Sequence, residues 1–269
     1  MTVTRSIPTS IAPVLEQLEL DGDVIVTVDR LAEVLRETGV KDEPRQLAYE
    51  LQRAGWLGSL RTRGAWEFLP AARGGAISSG DRFLEFRAQR ELDPAWPGVL
   101  AMESAAGVLG LAQRLPEREV VSLPSRIEPP KAFAGQWRAV TLVLPGEAQT
   151  TVDRLPTWNL DGLVAGIAGR PAAYRDLPGL GQWLPDAAAR VDPELLIRLL
   201  AGLPSTASQR AAYLLAAGGN AEASVAILRR FPPRSVARIG PRQAGGRFNA
   251  ATQVSDTALY RYLAVGTGA

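Results

Sequence analysis

Pro44-Arg45-Gln46-Leu47-Ala48-Tyr49-Glu50-Leu51-Gln52-Arg53-Ala54, closed by Gly55, reads as a short helix with two unlike faces. Proline in the first turn gives up no intrahelical hydrogen bond, and glycine just past the last turn stops the run. At 100° per residue, Leu47, Leu51 and Ala54 share one face, which must be core. Arg45, Tyr49, Gln52 and Arg53 fall on the opposite face, with Gln46 at its edge. Those are long polar side chains of the kind that reach base edges and phosphates in a major groove.

The flanking sequence gives this helix its setting. Upstream, Thr9 or Ser10 caps a helix with Pro13 in its first turn and Ile11, Val14, Leu15 and Leu18 as its apolar stripe. Asp21-Gly22-Asp23 is a turn, and Val24-Ile25-Val26-Thr27 a short β-branched strand. A second helix follows with Leu31, Val34 and Leu35 on one face and Gly39 past its end; Val40-Lys41-Asp42-Glu43 then turns the chain into the helix at 44–54. Downstream, residues 57–60 and 66–69 read as strands joined by the hairpin turn Arg61-Thr62-Arg63-Gly64. Helix, strand, helix, turn, helix, hairpin is the order of a winged helix-turn-helix, assigned to residues 1–72. Its expected DNA contacts are Lys41, Arg45, Gln46, Tyr49, Gln52 and Arg53 from the reading helix and its turn, with Arg61 and Arg63 at the wing. The rival reading is a helical hairpin with a solvated polar face.

Pro70-Ala71-Ala72-Arg73-Gly74-Gly75-Ala76-Ile77-Ser78-Ser79-Gly80 has no periodicity and reads as a connector, with the boundary at 73–80. The remainder, 73–269, is expected to be a larger, helix-rich α+β domain with its own core. Asp81 caps a helix carrying Phe83, Leu84 and Phe86. Residues 99–109 read as a small-residue helix closed by Gly110, and 119–123 and 137–144 as strands. Beyond Val152 the pattern is helical: 160–168, a helix opened by Asp192-Pro193, 205–217, and a last helix from Asn220 to Phe231, stopped by Pro232-Pro233. The fold class of the whole chain is therefore α+β.

Composition narrows the function. The 269 residues contain neither histidine nor cysteine, which excludes imidazole proton shuttles, thiolate nucleophiles and the common zinc sites. No Gly-x-Ser-x-Gly occurs, and neither lysine, Lys41 or Lys131, lies in a phosphate-loop context. Asp21-Gly22-Asp23 has the D-x-D spacing of a magnesium site, but Asp and Gly are turn formers in any case. Gly179-Leu180-Gly181 lacks the strand and third glycine of a dinucleotide site and reads as loop. The expectation is a non-enzymatic protein with no cofactor and no metal. No membrane-length apolar run or secretory leader is read, so a cytoplasmic location is expected.

The net charge of +2 conceals an asymmetry. Residues 1–70 carry 8 basic and 11 acidic side chains, whereas residues 223–269 carry seven arginines and one aspartate. Arg229, Arg230, Arg234, Arg238, Arg242 and Arg247 lie in a stretch with no acidic residue between Glu222 and Asp256. Its prolines and glycines make most of it non-helical. Two readings stand side by side: phosphate contacts, or a solvated Arg-rich loop.

Phe83-Leu84-Glu85-Phe86-Arg87, then Val99-Leu100-Ala101-Met102-Glu103-Ser104-Ala105-Ala106-Gly107-Val108-Leu109-Gly110-Leu111 leading into Arg118-Glu119-Val120-Val121-Ser122-Leu123, resembles the AbiEi-type antitoxins of type IV abortive-infection toxin–antitoxin systems, in their actinobacterial form. The helical region from Asp192 to about Ala223 fits as well. The resemblance implies an autorepressor whose N-terminal domain binds inverted repeats of double-stranded DNA in its own promoter, with a dimer compatible with such repeats. It implies a C-terminal domain that counters a nucleotidyltransferase-like toxin without needing a stable complex. By position, the DNA-contacting helix maps onto 44–54 and the wing onto 57–69. The alternatives are a winged-helix regulator with a small-effector-binding C-terminal domain, and an RNA-binding protein acting through the C-terminal arginines.

Overall fold

The computed structural model describes residues 11–73, 77–242 and 245–263. The chain forms two compact units: residues up to Trp96 with Pro130–Ala134, and Pro97–Pro129 with the chain from Gly135 onward.

The first unit has an element order compatible with a winged helix-turn-helix, and its local signals act as expected. Helix α1 (Ala12–Leu20) has Pro13 in its first turn, and strand β1 (Ile25–Thr27) leads directly into α2 (Val28–Thr38). The Thr27 hydroxyl accepts the Arg30 amide at 3.1 Å, capping α2, and Gly39 closes it at φ 68°. The Glu43 carboxylate caps α3 (Pro44–Arg53) by accepting the Gln46 amide at 2.7 Å. Strands β2 (Leu57–Ser59) and β3 (Ala65–Phe68) complete an antiparallel sheet in the order β1-β3-β2, with Trp66 beside both Val26 and Ser59. The stripes of the three helices meet in one core: Val14, Leu15 and Leu18; Leu31, Val34 and Leu35; Leu47, Ala48 and Leu51. Trp56 and Phe68 close it from the sheet side. The N-terminal caps expected at Thr9 or Ser10 lie outside the described residues.

The unit does not stop at the expected 73–80 boundary. Helix α4 (Leu84–Leu92) packs Ala88 against Ile25 and Ala65. Trp96 stands edge-on to Phe86 and to Phe133, with ring centroids 5.2 Å and 5.7 Å apart, and so holds the helical turn Lys131–Phe133 in the same unit. The buried face of α4 is what moves the division to Trp96.

The second unit is α+β. Strands β4 (Val99–Leu100), β5 (Glu119–Leu123), β6 (Trp137–Thr141), β7 (Gln149–Val152) and β8 (Leu155–Trp158) form a mixed sheet ordered β6-β5-β4-β8-β7. Between β4 and β5 lies α5 (Met102–Val108), so the stretch expected as one helix over 99–109 is a strand and a helix. The junction is Met102, fully buried at φ 49°, a costly conformation for a side-chain-bearing residue. Strand β8 likewise lies where the pattern had suggested only helix. Helices α6 (Leu160–Gly169), α7 (Leu177–Arg190), α8 (Pro193–Ala201), α9 (Ser205–Ala217) and α10 (Ala221–Arg230) follow. Their core includes Leu163, Leu184, Leu196, Leu200 and Leu215. Gly179-Leu180-Gly181 lies inside α7, not in a loop. Strands β9 (Ala237–Ile239), β10 (Arg247–Asn249) and β11 (Val254–Asp256) form a small sheet ordered β10-β11-β9.

Candidate nucleic-acid interface

Helix α3 divides as its sequence requires. Leu47, Ala48 and Leu51 are buried, while Arg45, Gln46, Tyr49 and Arg53 are exposed, Tyr49 at 56%. Tyr49 and Arg53 sit one turn apart, with the guanidinium carbon 5.7 Å from the ring centroid, so the two present a joined aromatic and cationic surface. Lys41 is exposed in the turn that precedes the helix. Two of the expected contacts are already engaged. The Gln46 amide group donates to Glu50 at 2.8 Å, and half-buried Gln52 donates to the Ser59 hydroxyl at 2.6 Å, tying α3 to β2. Arg45, Tyr49 and Arg53 are the group that the fold leaves facing outward together.

The wing is pinned rather than free. Gly64 takes φ 85° to close the turn. The carboxylate of Glu85 on α4, itself buried, accepts the amides of Arg61 at 2.7 Å and Thr62 at 2.9 Å, and the Thr62 hydroxyl at 2.6 Å. Arg61 turns its guanidinium back to donate to the Ala134 carbonyl at 2.9 Å. Arg63 remains exposed. Beside it a cleft of about 500 Å³ is lined by Arg61, Arg63 and Lys131, three cations brought together from the wing and the turn at 131–133. Sequence reasoning missed Lys131 in this place, because contacts distant in sequence, Trp96 on Phe133 and Arg61 on the Ala134 carbonyl, carry a residue some seventy positions downstream back to the wing.

The D-x-D turn is occupied by the protein itself. Arg30 bridges Asp21, Asp23 and Glu33, with the Asp23 and Glu33 contacts at 3.0 Å and 2.7 Å. Hydrogen bonds from Gln17 and Arg30 hold the Asp21 carboxyl below the usual carboxylate range. Burial works against the Arg30 charge, but Glu33, Asp23 and Asp21 outweigh it and raise its pKa.

In the second unit, the six C-terminal arginines are all exposed, but they stand on folded elements. Arg229 and Arg230 end α10, Arg238 lies on β9 and Arg247 on β10, with Arg234 and Arg242 between. Gln209 on α9 anchors the segment, donating to the Ser235 carbonyl at 2.6 Å and the Thr252 carbonyl at 3.2 Å. Tyr213 donates to buried Asp256 at 2.8 Å, which also accepts the amides of Ala258 and Leu259. Burial first, then the Asp256 carboxylate, pushes the Tyr213 hydroxyl up, keeping it a donor. Arg238 stands beside Ser255 and Arg247 beside Asp256, neighbouring rows that point to opposite faces of the small sheet. The fold therefore does not gather the six into one patch.

Among the described residues, no helix is long and apolar enough to cross a membrane. A comparison with curated proteins gives no match. Among solved structures, the RV2827C protein from Mycobacterium tuberculosis is similar over 96% of this chain and 94% of that one, with a TM-score of 0.78 and 29% sequence identity. Residues 98–217, the mixed sheet and the helices through α9, match the family described as the AbiEi antitoxin C-terminal domain. The resemblance visible in the small-residue stretch before β5 is thus met by the family match over residues 98–217 and by the fold of a similar structure.

Proposed function

We propose that the chain is a cytoplasmic, autoregulating type IV antitoxin. Its first unit binds double-stranded DNA at inverted repeats in its own promoter, reading the major groove with α3 and holding the backbone with the wing. Its second unit counters a nucleotidyltransferase-type toxin without a lasting complex. The observation that carries the DNA half is the outward face of α3, where Arg45, Tyr49 and Arg53 stand exposed opposite Leu47, Ala48 and Leu51 within a helix-turn-helix and its sheet. The cleft of Arg61, Arg63 and Lys131 supplies sequence-independent phosphate contacts beside it. The exposed arginines of 229–247 add further cationic surface, spread over two sheet faces. The antitoxin half rests on the domain match over 98–217.

The test has two arms. The chain is titrated onto its upstream DNA, and it is co-expressed with the product of the adjacent reading frame. Promoter-selective binding and restored growth support both halves. Growth unaffected by the antitoxin removes the second half and leaves the first standing.

A further inference from the structure

The second unit carries a concentration of positive charge that DNA reading by α3 does not use. Arg138, Arg170, Arg175 and Arg210 line one cleft of about 710 Å³, and no carboxylate is among its lining residues. Its lining comes from β6, an outer strand of the mixed sheet, from the turn at 169–173 that follows α6, and from α9. Four arginines meet here from a strand, two turns and a helix separated widely in sequence.

Their charges are unevenly compensated. Arg138 pairs with Glu103, whose carboxylate also accepts the Arg175 backbone amide, and these two arginines also border a neighbouring cleft that holds Glu117 and Asp176. Half-buried Arg210 donates to two neutral carbonyls, Arg238 at 2.7 Å and Ala168 at 3.0 Å. Those bonds fix the guanidinium but leave its charge intact. Arg170 and Arg175, both exposed, line the same space. Burial lowers the pKa of Arg138, as does the neighbouring Arg175, and burial lowers that of Arg210. Like charges held together in a partly desolvated cleft are a cost that an anion relieves. The volume lies in the range of small-molecule sites, and the planar forks of arginine match phosphate oxygens in pairs.

We propose that this cleft binds a ligand with adjacent phosphate groups, of the size and class of a nucleoside triphosphate. Arg170 and Arg175 grip the phosphates, while Arg138 and Arg210, held by the fold, set their position. The site is independent of the winged unit.

The test is calorimetry on the full chain with ATP and with inorganic pyrophosphate, at low and at moderate salt. The wild type is expected to bind each at one site. The double variant Arg170→Gln/Arg175→Gln changes only exposed side chains, so its melting temperature should stay unchanged while affinity falls by about tenfold or more. The Arg45→Ala/Arg53→Ala protein should bind ATP as the wild type does, which separates this site from DNA reading. Displacement of ATP by a short single-stranded RNA would keep the phosphate chemistry and assign its natural source to a nucleic-acid strand. The inference is overturned if neither probe binds saturably, if the double variant binds as well as wild type, or if only a glutamate-rich peptide depends on Arg170 and Arg175.

Discussion

Glu85 and Thr62 are joined twice: the Glu85 carboxylate accepts the Thr62 amide at 2.9 Å and its hydroxyl at 2.6 Å. With the Arg61 amide also bound, one buried side chain on α4 satisfies three donors of the wing. Glu85→Ala leaves those donors without their acceptor, and each buried unsatisfied group costs about 1–3 kcal/mol. The expected loss in urea unfolding is on the order of 2–4 kcal/mol, with faster hydrogen exchange at Arg61 and Thr62. A fragment ending at residue 72 lacks Glu85 and the Ala88 contact, so it should unfold without a cooperative transition. A fragment of that length as stable as one ending at Trp96 would show that α4 is dispensable.

Arg63 and Lys131 share the wing cleft but come from different parts of the chain. Arg63→Gln and Lys131→Gln are each expected to weaken binding to specific and random duplexes alike. Each should also lower the slope of log affinity against log salt by about one unit. Arg234→Gln/Arg238→Gln/Arg242→Gln tests the C-terminal segment in the same assay. A slope unchanged by Lys131→Gln would take the turn at 131–133 out of the DNA footprint.

Gly162 lets α6 lie against the chain before β7. A Cβ there would stand 2.2 Å from the Ala148 carbonyl oxygen, a backbone atom that cannot swing aside. Gly162→Ala should destabilise the second unit by about 1–3 kcal/mol or more. A Cβ at Gly202, which closes α8 at φ −86°, would meet nothing nearer than the Leu199 carbonyl oxygen at 3.8 Å. Gly202→Ala is therefore expected to be neutral or to stabilise by about 0.4–1 kcal/mol. Paired thermal melts of the two variants check the contrast, and equal melting temperatures would contradict it.

Asp161 is buried in the first turn of α6, where it accepts the Asp192 amide at 2.9 Å. Burial is the main cause that raises its pKa above the ordinary carboxylate value; the hydrogen bond from the Asp192 amide works against it, and the Asp192 charge works with it. The folded-state pKa thus exceeds the unfolded one. The stability this group contributes is complete below about pH 4 and is lost as pH rises through the folded-state value. Asp161→Asn keeps an oxygen for the Asp192 amide and removes the charge. Its stability relative to wild type should rise between about pH 4 and pH 7. A wild-type advantage that grows over that interval would reverse the sign argued here.

The helices and wing of the first unit were legible because local signals mark them: Thr27 and Glu43 as caps, Pro44 at a helix start, and Gly39 and Gly64 at positive φ. What was not legible depends on contacts distant in sequence. Asp81 does bind the Phe83 amide in front of α4, as its position suggested, but nothing local says that Glu85 reaches the wing. Helix α7 was hidden by composition: Pro178 falls in its first turn, Pro185 interrupts its ladder, and Gly179 and Gly181 look like loop. Gly181 is there for space, since a Cβ would meet the Tyr262 carbonyl oxygen at 2.2 Å. At the reading helix, the sequence separated polar from apolar faces correctly. It could not tell that Gln52 is spent on Ser59, which leaves Arg45, Tyr49 and Arg53 as the outward group.

The most direct measurement is fluorescence anisotropy of the full chain on its own promoter duplex and on a random duplex of equal length, for wild type and for Arg45→Ala/Arg53→Ala. Wild type should prefer the promoter by about tenfold or more, and each arginine should contribute about 1–3 kcal/mol to that preference. The double variant should bind both duplexes with equal, weak affinity at an unchanged melting temperature. Wild-type selectivity retained in the double variant, or no preference for the promoter in wild type, would contradict α3 as the reader of an autoregulatory operator.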